Sequence, residues 1–215
     1  MERIICLLIG YVFGLFQTAY IYGRAHGVDI RKIGSGNAGT TNTLRAFGTK
    51  AGLIVFLGDV LKCIFAVTVV RFLFGTSQQD IQYLLMLYAG AGAILGHNFP
   101  FYLQFKGGKG IAATAGLILA FHPYFIPMGV ILFFGVFFTT HYVSLGSLLV
   151  YAGFMIELVV VGQMGLFGMS QTTLYELYAV GAFLTVMAYI KHKENIVRLL
   201  KGQERKTYLT KKSEM

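Results

Sequence analysis

Hydrophobic stretches follow one another along almost the whole chain, and most are long enough to cross a membrane. The long ones run over residues 4–23, 51–74, 82–96, 124–140, 142–162 and 173–190. About 20 apolar residues span the hydrocarbon core of a bilayer, so each of these predicts a transmembrane helix. A shorter stretch, 111–121, ends at His122-Pro123 and by length alone resembles a half-span or re-entrant helix. The first stretch lacks a cleavage signature, so we interpret it as a retained span.

The overall composition supports a membrane protein and excludes an ordinary soluble domain. Of the 215 residues, 56% are hydrophobic and 13% are charged, whereas soluble domains carry about 25% charged residues. The length predicts a single domain, 1–215, whose basic tail 205–215 we expect to be flexible. Cys6 and Cys63 lie in apolar stretches without metal-ligand spacing. We therefore expect no disulfide framework, no metal and no cofactor.

Lysine and arginine are distributed unevenly among the loops. Of the 18 Lys and Arg residues, five lie in 24–50, two in 97–110 and eight in 191–215, whereas 75–81, 122–123 and 162–172 contain none. Because basic loops remain in the cytoplasm, an even number of crossings must separate 110 from 191, and 111–121 must cross as a short helix. The prediction is an all-α polytopic membrane protein with seven transmembrane helices, its N-terminus outside and its C-terminus cytoplasmic.

The first cytoplasmic loop is rich in glycine, hydroxyl and amide side chains. It contains a literal GxGxxG, but a dinucleotide site requires a preceding strand, and membrane helices flank this motif. Small residues still allow backbone N–H groups to converge on an anion, and an arginine can grip a phosphate with two donors. A phosphate site is favoured over a plain flexible loop. Its candidate residues are Gly34, Ser35, Gly36, Asn37, Gly39, Thr40, Thr41, Asn42 and Arg45.

The second cytoplasmic loop combines aromatic residues with a glycine-flanked lysine. It is not a P-loop, because Gly110 stands where Ser or Thr is required. Lys109 lies where helix 111–121 begins, so the ammonium and the helix N-terminus would act on one anion. Phe99, Phe101, Tyr102 and Phe105 are interpreted as an interfacial anchor. The candidate phosphate-binding residues here are His97, Gly107, Gly108, Lys109 and Gly110.

Two further polar segments lie at predicted cytoplasmic helix ends. Ser144 and Ser147 share one helical face, although serines there also cap and pack helices. His192, Asn195 and Arg198 are likewise neighbours on a helix, and the alternative for that segment is an interfacial helix that binds anionic lipid. These residues extend the set of candidates for phosphate binding.

Two charges of opposite sign lie within the second predicted span. Asp59 and Lys62 are three residues apart, on one face of a helix. Charges inside a membrane are costly and usually paired. The simplest prediction is a mutual ion pair.

Taken together, these segments resemble the PlsY family, the bacterial membrane acyltransferases that acylate glycerol 3-phosphate from an acyl-phosphate donor. The resemblance runs from about 34 to 204, in order and at compatible spacing. It rests on Gly34-Ser35-Gly36-Asn37, Gly39-Thr40-Thr41-Asn42, Arg45, Asp59, Lys62, Gly96-His97, Phe99-Pro100, Phe105-Lys106-Gly107-Gly108-Lys109-Gly110, Tyr142-Val143-Ser144-Leu145, Ser147, His192, Asn195, Arg198-Leu199 and Gly202-x-Glu204. Ala113, His141 and Cys63 depart from common family residues, but none of them replaces a residue assigned to chemistry.

The resemblance implies a reaction and a location. An acyl group would pass from long-chain acyl phosphate to the sn-1 hydroxyl of glycerol 3-phosphate, giving lysophosphatidate and inorganic phosphate for phospholipid biosynthesis. It implies seven helices in the bacterial cytoplasmic membrane, a cytoplasm-facing active site, and membrane lipids but no nucleic acid as partners. The catalytic residues it implies are Ser35, Arg45, Lys109, His192 and Asn195. Either His192 or a substrate phosphate would accept the hydroxyl proton.

A membrane transporter of a phosphate ester is the alternative function. It too would use a basic polar vestibule and intramembrane charges. However, a transporter predicts inverted repeats and polar residues that continue past the midplane. Here the polar segments lie at one face and no repeat is visible, which favours the enzyme.

Overall fold

In the computed structural model, residues 1–209 are described, and within them the chain is helical with no β-strand. The α-helices are α1 Glu2–Gly14, α2 Thr18–Ala25, α3 Thr40–Phe47, α4 Thr49–Phe74, α5 Gln82–Asn98, α6 Ile111–Phe121, α7 Phe125–Val130, α8 Val136–Thr140, α9 Val143–Gln163, α10 Gln171–Lys191 and α11 Lys193–Leu200. A π-helical turn, Ile131–Gly135, joins α7 to α8, and short 3-10 helices occupy Ile30–Lys32, Gln79–Ile81 and Phe101–Leu103. The expected all-α architecture is therefore confirmed over the described residues.

Helical segments of full membrane length number five within residues 1–209. They are Glu2–Ala25, Thr49–Phe74, Gln79–Leu103, Val143–Gln163 and Gln171–Lys191. Two shorter apolar helical segments, Ile111–Phe121 and Phe125–Thr140, complete the set of predicted spans. A multi-pass membrane protein is thus supported, whereas seven crossings and their orientation stay predictions.

The first predicted span is interrupted rather than continuous. Between α1 and α2 the amide of Gln17 turns inward, and its Nε2 donates to the carbonyl oxygens of Gly14, Gly96 and His97, each at 3.1 Å. A carbonyl freed by the break, that of Phe16, accepts from Lys62 Nζ at 2.8 Å. The break therefore persists because polar side chains from other parts of the fold satisfy its backbone.

Glycines bring α1 and α5 into close contact. Gly10 and Gly14 on α1 face Gly92 and Gly96 on α5, and a Cβ at any of the four positions would overlap the backbone of the opposite helix. Small residues four apart allow helix backbones to approach closely in membranes. In the most apolar part of the span that contains α5, 78% of the residues are buried, against 28% in the span formed by α1 and α2. Helix α5 is therefore the central helix, and the first span lies at the periphery.

The C-terminal segment folds back onto the helices. Thr207 is buried, and its N–H donates to the carbonyl oxygen of His141 at 2.9 Å. Thr49 Oγ1 donates to the carbonyl oxygen of Leu209 at 2.7 Å. The flexibility expected of 205–215 stays a prediction, and residues 210–215 of that tail, with Lys211 and Lys212, lie outside the described residues.

Candidate active site

All four polar segments meet around one cavity of about 670 Å³. Its walls come from the loop before α3, from α3 and α4, from the first turns of α6 and α9, and from the junction of α10 with α11. Among the expected catalytic and phosphate-binding residues, those lining it are Gly34, Ser35, Gly36, Asn37, Gly39, Thr40, Thr41, Asn42, Arg45, His97, Lys109, Gly110, Ser144, Ser147, His192, Asn195 and Arg198. Residues as far apart in sequence as Gly34 and Arg198 are thus gathered at one site.

The glycine-rich loop is shaped by the side chain of Asn42. Its Oδ1 accepts the Ser35 N–H at 2.9 Å, and its Nδ2 donates to the carbonyl oxygens of Ile30 and Ile33 at 3.1 and 3.0 Å. Gly34 has φ +58°, and a Cβ there would overlap Asn42 Oδ1. Asn42 lines the cavity, but its amide holds the loop in place, so its described contacts are structural.

Helix α3 carries two buried polar atoms that point to a ligand. Thr40 Oγ1 and Arg45 Nε have no hydrogen-bond partner among residues 1–209, although nearly all buried polar groups in folded proteins are paired. Burial lowers the pKa of Arg45, yet an arginine stays charged in proteins. An acceptor-rich anion such as a phosphate would satisfy both groups.

The glycine–lysine loop separates into packing glycines and cavity residues. The N–H groups of Gly107 and Gly108 donate to the carbonyl oxygens of Asn98 and His97 at 3.2 and 3.1 Å. A Cβ on either glycine would overlap His97, and neither glycine lines the cavity. Their observed role is to let the loop pass against the end of α5, which brings Lys109 to the wall.

Lys109 is the ammonium group nearest the α6 N-terminus in this wall. Its Nζ donates a hydrogen bond to Asn195 Oδ1. Burial, followed by the charge of Arg198, lowers the pKa of Lys109 to about 8. At neutral pH the ammonium group is therefore mostly charged.

His192 lies between α10 and α11, where its hydrogen bond and its burial keep the ring neutral and one nitrogen free to accept a proton. Its Nδ1 is 2.7 Å from the carbonyl oxygen of Ala188, and because a carbonyl only accepts, Nδ1 carries the proton and Nε2 keeps its lone pair. Burial lowers the pKa of His192 to about 4. The ring is consequently neutral at pH 7 and able to accept a proton.

Glu204 links the cationic side of the cavity, and sequence reasoning did not single it out as a site residue. Its carboxylate accepts from Asn195 Nδ2 at 2.7 Å, from Ser144 Oγ at 3.1 Å and from Arg198 Nε at 2.8 Å. Ser147, one turn along α9, donates to the Val143 carbonyl instead. In the sequence, Glu204 stands out only as part of the Gly202-x-Glu204 spacing that resembles the family. That spacing does not indicate which residues Glu204 contacts.

Below the cavity, a buried cluster joins α4 to α5. Lys62 Nζ lies 2.8 Å from Asp59 Oδ1 and 2.9 Å from His97 Nδ1, so the expected ion pair is confirmed. Thr18 Oγ1 also donates to Asp59. Asp59 and His97 reach the cavity wall, whereas Lys62 stays behind it.

The cavity combines excess positive charge with an apolar wall. Its lining contains Arg45, Lys109, Lys191, Lys193, Arg198 and Arg205, against the acids Asp59, Glu194 and Glu204. Phe56, Ile111, Phe133 and Ile190 add hydrophobic surface. Across the part of the chain that the structure describes, no group of three or more His, Cys, Asp or Glu side chains is placed to hold a metal ion. The site is suited to an amphipathic anion.

A model of the glycerol-3-phosphate acyltransferase family matches residues 4–202. The chain belongs to this family. The glycerol-3-phosphate acyltransferase of Clostridioides difficile is 40% identical over 208 residues, covering 94% of both chains. That of Thermosipho melanesiensis is 37% identical over 211 residues, covering 96% of this chain and 94% of the relative.

Crystal structures of this family have the same fold. Two structures of PlsY, an integral membrane glycerol 3-phosphate acyltransferase, are similar to this chain. Its glycerol 3-phosphate form has a TM-score of 0.79 at 30% identity, covering 97% of this chain and 96% of that one. Its lysophosphatidic acid form has a TM-score of 0.80 at 27% identity, covering 99% and 98%. The family resemblance is confirmed, and it places this membrane protein in phospholipid biosynthesis.

Proposed function

We propose that this acyltransferase moves a fatty acyl group from acyl phosphate to the sn-1 hydroxyl of glycerol 3-phosphate, releasing lysophosphatidate and inorganic phosphate. The observation that carries the proposal is a single cavity with separate cationic groups, Arg45 and Lys109, beside an apolar wall. Both substrates bear a phosphate, and one also bears an acyl chain. The glycerol 3-phosphate and lysophosphatidic acid forms of the similar PlsY structures support the acceptor and the product.

The two phosphates require two sets of donors. Around Arg45, the unpaired Nε, the Thr40 hydroxyl and the loop of Ser35 form the first set. Around Lys109, Asn195, Ser144 and the first turn of α6 form the second. Converging donors of this kind stabilise anionic ligands and developing negative charge, especially where water is excluded.

The proposed reaction is an acyl transfer that the chain promotes mainly by positioning and charge stabilisation. The acceptor hydroxyl oxygen attacks the acyl carbonyl carbon, and the bond from that carbon to the phosphate oxygen breaks. The phosphate leaves with the electron pair, while Lys109 and Asn195 stabilise negative charge. The hydroxyl proton passes to His192 Nε2 or to a substrate phosphate; His192 is the neutral base that the chain supplies.

The apolar wall provides a route for the acyl chain. Phe56 on α4 and Phe133 in the π-helical turn line the cavity beside Ile111. Outer faces of the helices carry exposed apolar side chains such as Leu57 and Phe134, which suit contact with membrane lipids. We place the enzyme in the bacterial cytoplasmic membrane, with seven crossings and the cavity open to the cytoplasm, on the basis of the basic loops.

The donor is tested with purified enzyme given glycerol 3-phosphate and one of three donors: acyl phosphate, acyl-CoA or acyl carrier protein thioester. We expect lysophosphatidate from acyl phosphate, with equimolar release of inorganic phosphate. Lysophosphatidate formed from acyl-CoA alone would overturn the proposed donor. Identifying the acylated hydroxyl in the product tests the sn-1 assignment separately.

The cationic residues are tested by Arg45→Ala and Lys109→Ala. Each variant is expected to lose at least about 100-fold in kcat/KM while inserting normally into the membrane. Lys109→Ala removes a donor to developing charge, and Arg45→Ala removes charge-assisted hydrogen bonds to a bound phosphate. Lys106→Ala is the matched control for Lys109, since Lys106 lies in the same loop but is exposed and does not line the cavity. A near-normal kcat/KM in either alanine variant would reject the role of that residue.

A further inference from the structure

The last described residues, 203–209, form a strap across the cytoplasmic polar segments. Glu204 and Arg205 line the cavity, and Thr207 is only 2% exposed. The family model ends at residue 202, so the strap lies beyond the matched region. Buried polar groups in folded proteins are nearly always held by hydrogen bonds, so the partners of Thr207 account for its burial.

The strap bridges two corners of the fold. At one corner, the Thr207 N–H donates to the carbonyl oxygen of His141, between α8 and α9, and the rings of His141 and Tyr208 lie 4.7 Å apart. At the other corner, Thr49 at the start of α4 donates to the carbonyl oxygen of Leu209. The strap thus spans from the beginning of α9 to the junction of α3 with α4.

Between these corners the strap holds Arg45. The hydrogen bonds that Arg45 makes within residues 1–209 both leave from Nη2, to Thr207 Oγ1 at 2.7 Å and to the Arg205 carbonyl oxygen at 3.2 Å. Its Nε is buried and has no partner there. The strap therefore engages one edge of the guanidinium, which keeps its remaining donors for a ligand.

We propose that Thr207 is a positioning residue that aims Arg45 at the phosphate it binds. An arginine side chain has many rotamers, and fixing it before the ligand arrives lowers the entropic cost of binding. Thr207 itself does not line the cavity, so its effect is exerted through Arg45. The inference rests on the proposed function, because it assigns Arg45 a phosphate ligand.

The test compares Thr207→Val, which keeps the buried shape but removes the hydroxyl, with Thr207→Ser, which keeps the hydroxyl. Arg45→Lys identifies which substrate KM depends on Arg45. Thr207→Val is expected to raise that same KM by at least about fivefold with kcat within twofold, as expected when ground-state and transition-state binding are lost equally. Thr207→Ser, which keeps the hydroxyl, is expected to have the wild-type KM.

Thr49→Val is the control for this comparison, since it removes a hydrogen bond of the strap that does not involve Arg45.

Each remaining outcome is decisive. A KM within twofold of the wild type in Thr207→Val overturns the proposal, as does a general loss of kcat that Thr207→Ser does not rescue. If the wild type turns over no acyl phosphate, the proposed donor is wrong, and direct binding of glycerol 3-phosphate and of inorganic phosphate replaces the KM. Thr207→Val is then expected to weaken the binding of the same ligand that Arg45→Lys binds less tightly. Binding of that ligand by Thr207→Val as tight as by the wild type overturns the role of Thr207.

Discussion

At the residue scale, burial lowers the pKa of Lys109 and of His192, both in the cavity wall, yet leaves each in the charge state that the proposed reaction requires. The pKa of Lys109 is lowered to about 8 and that of His192 to about 4, in both cases chiefly by desolvation. Near pH 7, the first group is therefore mainly cationic and the second is neutral. A cationic Lys109 can bind phosphate, and a neutral His192 can accept a proton.

The pH dependence of kcat/KM should show both groups. We expect the rate to rise through about pH 4 as His192 loses its proton and to fall through about pH 8 as Lys109 loses its own. Lys109→Arg is expected to move the alkaline limb upward by more than about one pH unit, because a guanidinium remains charged, while the acid limb stays. An alkaline limb that does not move would show that Lys109 does not cause it.

Residue type predicted most of this site, but not how each residue contributes. Ser35, Arg45 and Lys109 were identified because hydroxyl and cationic groups among glycines are typical of anion sites, and all three line the cavity. Gly107 and Gly108 are also predicted to bind phosphate, yet their N–H groups donate to carbonyl oxygens at the end of α5. The sequence does not show which donors a fold leaves unpaired, since that depends on contacts between distant segments.

At the element scale, the hydrophobic pattern located the helices and missed their interruptions. The break between α1 and α2 includes Leu15 and Phe16, so local hydrophobicity gives no sign of it. Its cause is tertiary, because Gln17 and Lys62 satisfy the freed backbone. The sequence likewise does not predict Glu204 as a site residue, because its contact with Ser144 joins residues 60 positions apart.

The glycine contact between α1 and α5 should be intolerant of larger side chains. Gly10→Val is expected to lower the apparent Tm in detergent, at a cost of about 1–3 kcal/mol or more, because the added atoms would overlap the Ala89 carbonyl. Gly135→Val is the matched control, as a Cβ at Gly135 meets no atom within 4 Å. Equal Tm values for the two variants would contradict the tight packing of α1 on α5.

At the scale of the whole molecule, topology depends on the short helices. Helix α6 has 11 residues, about 16 Å of helix, against a hydrocarbon core of about 30 Å. It crosses only if its ends are kept within the membrane region by protein contacts. Phe121 at its C-terminal end is buried among Phe125, Phe154 and Phe167, which supplies such contacts.

Labelling with a membrane-impermeant thiol reagent tests the seven-crossing prediction. His122→Cys is expected to react from outside the cell, whereas Lys201→Cys is expected to react only after the cytoplasmic face is opened. Background should be low, because Cys6 and Cys63 are buried. Protection of position 122 from the outside reagent would exclude the predicted topology.

The strap separates two requirements of the enzyme along its sequence. Residues 203–209 follow every predicted membrane helix, and they carry groups that contact Asn195, Arg198 and Arg45. A chain cut after residue 202 would keep every predicted span but lose part of the cavity wall. Damage to this segment should therefore abolish activity in a protein that still enters the membrane.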